Sequence, residues 1–254
     1  MADEDKEKAY EEKMVKKTVL ARNRRKERRR EMLSAMTAEE RKAFCQEEDR
    51  IEKERAERLA NAPEKGQRIA IDCGYDEIMS NKEVNSLSKQ IKFCYGVVKR
   101  MENPFSLTVT NCTEGSRIEA ALDRFSAKKW PIMLKPESVG DLFPAEDLVF
   151  LTPDATTLLD TVDPSKVYVI GGIVDRSRVK GRSLKAATAL GVATARLPIQ
   201  EHVTDRYTDH ILNVNTVLEI LASIQSGKDW PTTLAECLPK VPPTQMNQPL
   251  RDMV

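Results

Sequence analysis

Short apolar, β-branched runs alternate along this chain with longer stretches of helical periodicity, and that alternation limits the available folds more than any other feature. Strands are predicted at "RIAIDCG" from Arg68, "PFSLTVT" from Pro104, "DLVFLTP" from Asp147, "KVYVIGG" from Lys166 and "VATARLP" from Val192, with "WPIML" from Trp130 as a further candidate. Between the first two, "SNKE" at Ser80 has the spacing of a capping box and opens a helix that buries Val84, Leu87, Ile91 and either Cys94 or Tyr95 on one face. Further helices are predicted at "RIEAALDRF", at "SLKAATALG" (closed by Gly191), at "ILNVNTVLEILASIQSG" (ended before Gly227) and at "DWPTTLAECL", where Pro231 suits a first turn. Alternating strands and helices predict an α/β fold, a parallel sheet covered on both faces. Ligands of such sheets sit beyond the C-terminal ends of the strands. Here those ends read "FLTPDA", "VIGGIVD" and "ARLPI", and neither GxGxxG nor GxxxxGK[ST] occurs. A standard dinucleotide or P-loop site is therefore not supported.

Residues 1–62 differ from the rest. They are dense in Glu, Lys and Arg, contain no Gly or Pro, and carry few apolar residues, which predicts solvated helix, partly disordered when alone. "TAEE" at Thr37 starts a second helix that runs to about Leu59, and "NAPEKG" (Asn61 to Gly66) marks a boundary. The expected organisation is a charged helical extension over 1–62, a domain over 67–240 and a disordered tail over 241–254. The formal net charge of +1 conceals "RNRRKERRR", Arg22 to Arg30, basic at seven of nine positions.

Five cysteines stand far apart with no CxxC pair, and His202 and His210 are the only histidines, so neither a metal site nor a disulfide framework is expected. No apolar run is long enough to span a bilayer. The acidic start "MADEDKEKAY" argues against a secretory or mitochondrial leader, and the expected location is the nucleus (nucleolus) or cytoplasm.

The stretch "KVYVIGGIVDRSRVKG" carries the sharpest local question. Gly171 and Gly172 are explained either by a tight turn that needs positive φ or by close approach of backbone to a flat ligand. Asp175, just before Arg176, Arg178 and Lys180, is either a cap or exposed charge, or a carboxylate that orients a substrate whose phosphates the bases hold. Spacing alone leaves both open.

The ordered set "IDCGYDEIMSNKEVNSLSKQI", "LTPDA", "KVYVIGGIVD", "TARLPIQE" and "ILNVNTVLEIL", spread over roughly residues 67 to 240, resembles the tRNA purine-9 N1-methyltransferase family of the SPOUT superfamily. The resemblance implies a C-terminal trefoil knot and S-adenosylmethionine bound in the knotted loops. It places Leu151, Thr152, Gly172, Arg176, Lys180, Leu184, Arg196, Leu197, Pro198, Asn213 and Val217 at the cofactor. It makes Asp175 the candidate base facing purine N1, with Asp72 and Gln90 near the purine. Without the resemblance, Asp72 reads as a turn or cap partner and Gln90 as a surface residue. An unperturbed Asp is a weak base for guanine N1, so Asp175 either has a raised pKa or orients the purine while water takes the proton. Phe93 stands where relatives often carry a basic residue.

Beside a tRNA substrate, Arg22, Arg24, Arg25, Lys26, Arg28, Arg29 and Arg30 read as a phosphate clamp, and Lys99, Arg100 and Arg178 extend it. The basic run read by itself is a nuclear localisation signal or a solvated helix. Aromatic content of 5% gives no stacking platform of the RNP type. The expected activity is methyl transfer from S-adenosylmethionine to N1 of guanine at position 9 of tRNA, with adenine as the alternative base, by a monomer. The rival reading is a catalytically weak tRNA-binding scaffold in an RNA-processing complex. A nucleotide-dependent enzyme without RNA conflicts with the basic arm and lacks a phosphate loop.

Overall fold

The computed structural model describes residues 2–174, 181–203 and 211–239, with side chains at 16–17 and from 19 on. Asp175, Arg176, Arg178, Lys180 and the tail lie outside the described residues. The chain divides into two compact units, Met1–Glu54 and Arg55–Val254.

The first unit is built from α1 (Ala2–Ser34) and the first part of α2 (Ala38–Lys65). Thr37 opens α2 as the sequence predicts: Glu40 Oε2 accepts from Thr37 N at 2.8 Å, and Glu40 N donates back to Thr37 Oγ1 at 3.2 Å. Arg29 makes two hydrogen bonds to Glu48, at 2.6 and 2.5 Å, and lies over the Phe44 ring. The other basic residues of Arg22–Arg30 are exposed. The helix α2 does not stop at "NAPEKG": it continues through Pro63 to Lys65. Leu59 and Ala62, on this last part, are buried.

In the second unit, β1 (Arg68–Asp72), α3 (Asn81–Val98), β2 (Ser106–Thr110), α4 (Arg117–Asp123), β3 (Met133–Leu134), α5 (Val139–Leu142), β4 (Leu148–Leu151), β5 (Val167–Gly171), α6 (Arg182–Leu190), β6 (Ala193–Ala195), α7 (Ile199–His202), α8 (Val214–Gln225) and α9 (Trp230–Cys237) follow one another. Among the described residues the strands form one six-stranded parallel sheet in the order β3-β2-β1-β5-β4-β6. The alternation of side chains shows why both faces must be covered. Ile69, Ile71, Tyr168 and Ile170 join Leu87, Ile91 and Leu218 in one apolar cluster. Ala70, Phe150, Val167 and Val169 join Val139 and Ala187 in another. The helix α3 carries the predicted capping box at Ser80 and Glu83. It buries Cys94, while Tyr95 stacks on Trp130 with ring centroids 4.7 Å apart.

The sixth strand is held from both sides. Ala195 O accepts from Thr152 N at 3.0 Å, on the β4 side. The next residue, Arg196, turns the other way: its N–H donates to Thr157 O and its carbonyl accepts from Leu159 N, each at 2.9 Å. Successive residues of an extended chain present their hydrogen-bonding groups to opposite sides. The single connection from β4 to β5 therefore flanks the Ala195–Arg196 backbone on both edges. No helix among the described residues is long and apolar enough to cross a membrane.

Candidate nucleotide-type ligand pocket at the strand ends

Beyond the C-terminal ends of β4, β5 and β6 the second unit opens a pocket lined in part by Leu151, Thr152, Ile170, Gly171, Ser183, Arg196, Leu197, Ile199, Leu212, Val214 and Val217. This is the place that the strand order of an open parallel sheet reserves for ligands. Of the residues expected at the cofactor, Leu151, Thr152, Arg196, Leu197 and Val217 line it together. Gly172 is buried beside Gly171. Pro198 is buried at the start of α7, one residue from the lining Ile199. Leu184 is half-buried on α6, next to the lining Ser183. Asn213 is exposed at the N-cap of α8, where its side chain makes no capping bond. Ile170, Ser183, Ile199 and Leu212 also line the pocket and were missed: Ile170, Ile199 and Leu212 lie within the quoted motifs, but their types alone do not single them out.

Among the described residues the walls are mainly aliphatic, and the one lining guanidinium is paired with a carboxylate. Arg196 donates two hydrogen bonds to Glu201, at 3.0 and 2.7 Å, which raise the arginine's pKa and lower the carboxyl's. Such a slot suits a flat heterocycle with a few polar contacts and does not resemble a phosphate clamp.

Packing constrains both glycines, and the tight turn with positive φ does not hold. Neither lies among the positive-φ residues of the described chain. A Cβ on Gly172 would stand 2.6 Å from Asp72 O and 3.1 Å from Cys73 Sγ. Gly172 N donates to that same Asp72 carbonyl at 2.7 Å. Gly172 is thus glycine because β5 leaves the sheet pressed against the end of β1. A Cβ on Gly171 would meet Ser183 Oγ at 2.5 Å.

At the same edge of the sheet, Asp72 is buried at the end of β1. Its Oδ1 accepts from Asn111 Nδ2 at 2.7 Å and from Gly74 N at 3.1 Å. Asn111 has φ 54°, a left-handed conformation that Asn tolerates better than most residues. The Tyr75 hydroxyl is buried without a hydrogen-bond partner. Burial first, and then the Asp72 carboxylate, push its phenol up to about 12. Ser183 and Asp72 lie near enough to shift the phenol, Ser183 downward and Asp72 upward, without meeting hydrogen-bond geometry. Gln90 is buried on α3, where its Oε1 accepts from Val214 N at 2.9 Å and its Nε2 reaches Ser86 Oγ at 3.4 Å. Lys99 caps α3 and is half-buried, and Arg100 is exposed. Among the described residues no group of three His, Cys, Asp or Glu is placed to hold a metal ion.

Comparison with known proteins gives this geometry a family. Residues 2–241 match the model of "tRNA (guanine(9)-N(1))-methyltransferase TRM10/TRM10A". The chain is 36% identical over 177 residues to tRNA methyltransferase 10 homolog A of Xenopus tropicalis, covering 68% of this chain and 52% of that protein. It is 38% identical over 187 residues to tRNA methyltransferase 10 homolog B of Mus musculus, covering 70% of this chain and 58% of that one. The chain thus spans little more than half the length of these curated relatives. Its fold matches the solved structure described as "Crystal structure of spTrm10(Full length)-SAH complex" with a TM-score of 0.62 and 32% identity, covering 68% of this chain and 94% of that one. The protein whose strand ends build this pocket belongs to the TRM10/TRM10A family of tRNA (guanine(9)-N(1))-methyltransferases.

Proposed function

We propose that the chain transfers a methyl group from S-adenosylmethionine to N1 of guanine at position 9 of tRNA. The observation that carries this reading is the pocket at the ends of β4, β5 and β6, where five residues expected at the cofactor converge. Its aliphatic walls, with Thr152, Ser183 and Gln200 as uncharged polar groups, fit an adenosyl ligand. Leu151, Thr152, Leu197 and Val217 would hold it. When bound, S-adenosylmethionine supplies an electrophilic methyl group on a sulfonium. Glu201 balances the charge of Arg196 at the pocket wall. Asp72, held by Asn111 and Gly74, presents a fixed carboxylate at the neighbouring strand end. Asp175, four residues beyond Gly171, takes or orients the purine N1 proton.

The fold reading goes with it. A trefoil knot accounts for the way Thr152 on one side and Thr157 and Leu159 on the other enclose Ala195–Arg196. True knots are rare, and the flanking of a later strand on both edges by one earlier connection supports this reading. The exposed basic residues of Arg22–Arg30 serve as the phosphate-binding arm, and the same run serves nuclear import. The active unit is a monomer.

The test is methyl transfer from labelled S-adenosylmethionine to two unmodified tRNA transcripts that differ only in guanine or adenine at position 9. Transfer to the guanine transcript by the wild type, lost in Asp175→Asn with S-adenosylmethionine binding retained, is the expected result. Tight, salt-sensitive binding of both transcripts without transfer would replace the enzyme by a tRNA-holding scaffold.

A further inference from the structure

Phe93 is 59% exposed on α3, and three features of its surroundings set it apart from an incidental surface apolar residue. The first is the stripe it belongs to. Lys89, Phe93, Gly96 and Arg100 follow one another at spacings of three and four, so they share one face of the helix and the turn that ends it. Lys89, Lys92 and Arg100 are all exposed. The second is charge. From Lys89 to Arg100 the sequence contains no Asp or Glu, and Glu83, the acidic residue in the first turn of α3, is folded back onto Ser80. The third is space. Gly96, one turn beyond Phe93, costs a helix interior roughly 1 kcal/mol relative to Ala. A Cβ there would meet only Arg100 Nη1, at 3.6 Å. The missing side chain leaves a flat floor beside the Phe93 ring, closed at its far end by a guanidinium. Lys92 turns to one side, its Nζ 4.6 Å from the centroid of the Phe125 ring.

An aromatic face beside an open floor, on a helix segment with cations and no carboxylate of its own, matches the chemistry of a nucleobase and its phosphates. One exposed ring is too small an apolar area to hold a protein partner, and a base inside a duplex offers no free face to stack on. We propose that Phe93 stacks on an unpaired base of the bound tRNA, distinct from the base that is methylated, with Gly96 as the floor and Lys89 and Arg100 on the flanking phosphates. The proposal rests on the tRNA-modifying reading above and adds to it a base contact on the outer face of α3. Gln90, on the buried face of the same helix, touches the first turn of α8 beside the pocket, so a base held at Phe93 would fix the RNA relative to the strand ends.

The experiment measures binding of an unmodified tRNA transcript by fluorescence anisotropy, and methyl transfer to it, over a series of salt concentrations. The proteins are the wild type, Phe93→Ala, Phe93→Leu, Phe93→Tyr and Arg100→Ala. Stacking predicts that Ala and Leu both weaken binding roughly tenfold while Tyr stays within about twofold. The slope of log affinity against log salt is unchanged in the Phe93 variants and falls in magnitude by about 1 in Arg100→Ala. Binding by Phe93→Ala equal to wild type, or full rescue by Leu, overturns the stacking role while leaving the methyltransferase reading intact. A wild type that neither binds nor methylates the transcript overturns both.

Discussion

Gln90 Oε1 accepts a hydrogen bond from Val214 N at 2.9 Å, joining the middle of α3 to the first residue of α8, 124 positions away in sequence. Helix N-termini leave backbone N–H groups without intrahelical partners, and here a buried side-chain amide satisfies one of them. Val214 and Val217 line the pocket, so this bond fixes a pocket wall. Gln90→Ala should destabilise the protein by about 1–3 kcal/mol, because it strands a buried N–H. It should also weaken S-adenosylmethionine binding. Chemical denaturation and calorimetry check both. An unchanged unfolding midpoint with lost methyl transfer would put Gln90 against the purine instead.

The two adjacent glycines should respond unequally to alanine. At Gly172 the new methyl meets backbone, Asp72 O at 2.6 Å, whereas at Gly171 it meets the Ser183 hydroxyl at 2.5 Å, which can rotate away. Gly172→Ala is expected to cost about 1–3 kcal/mol, and Gly171→Ala less. Urea midpoints measured side by side give the order. Equal losses would mean that the β1–β5 junction yields as easily as a side chain.

Tyr75 provides a pH signature. Burial holds its phenol at about 12 in the folded protein, above the ordinary value of 10.0, so the neutral form is favoured by folding. The unfolded chain loses the proton first. The resulting stability is fully present below pH 10 and is lost as pH rises through about 12. Tyr75→Phe should remove this part of the alkaline fall, an effect of about 3 kcal/mol. Near neutral pH it should leave stability unchanged or slightly raised, because the hydroxyl it deletes is buried without a partner. Unfolding free energies on both sides of the window test it, and a marked loss at neutral pH would refute it.

Truncation of the N-terminal region should depend on where the cut falls. Leu59 and Ala62 are buried, and the unit that holds the sheet begins at Arg55. Deleting residues 2–54 should leave the thermal midpoint near that of the full chain, while tRNA affinity and its salt dependence fall. Deleting residues 2–62 removes Leu59 as well and should cost an additional roughly 2–5 kcal/mol, the range for losing a buried leucine side chain. Equal midpoints for the two truncations would show that Leu59 contributes nothing to the fold.

Strands were legible in the sequence where burial on both faces makes the run continuously apolar, as in Val167–Gly171, and helices where a cap marks the start, as at Ser80. The end of α2 was not, because Pro63 reads as a breaker, whereas the buried Leu59 and Ala62 tie this last part of the helix to the core. Strand order was not legible either, since no local pattern says that β5 lies between β1 and β4. The same limit governs the site. Leu151, Thr152, Arg196, Leu197 and Val217 came from an ordered set of motifs. The reason for Gly172 and the partner of Gln90 came only from contacts with Asp72 and Val214, residues far off in the chain.

The enclosure of Ala195–Arg196 by the segment Thr152–Leu159 has a consequence for how the molecule is made. During synthesis the segment Thr152–Leu159 exists before the residues that it flanks. Every residue needed for sheet strands β1 to β5 has left the ribosome while the pocket still lacks one of its walls. Arg196, Leu197, Ile199, Val214 and Val217 are added late, and until they are seated the pocket is incomplete. The pocket is therefore completed last, and a chain cut short after β5 would lack β6 and the walls that follow it.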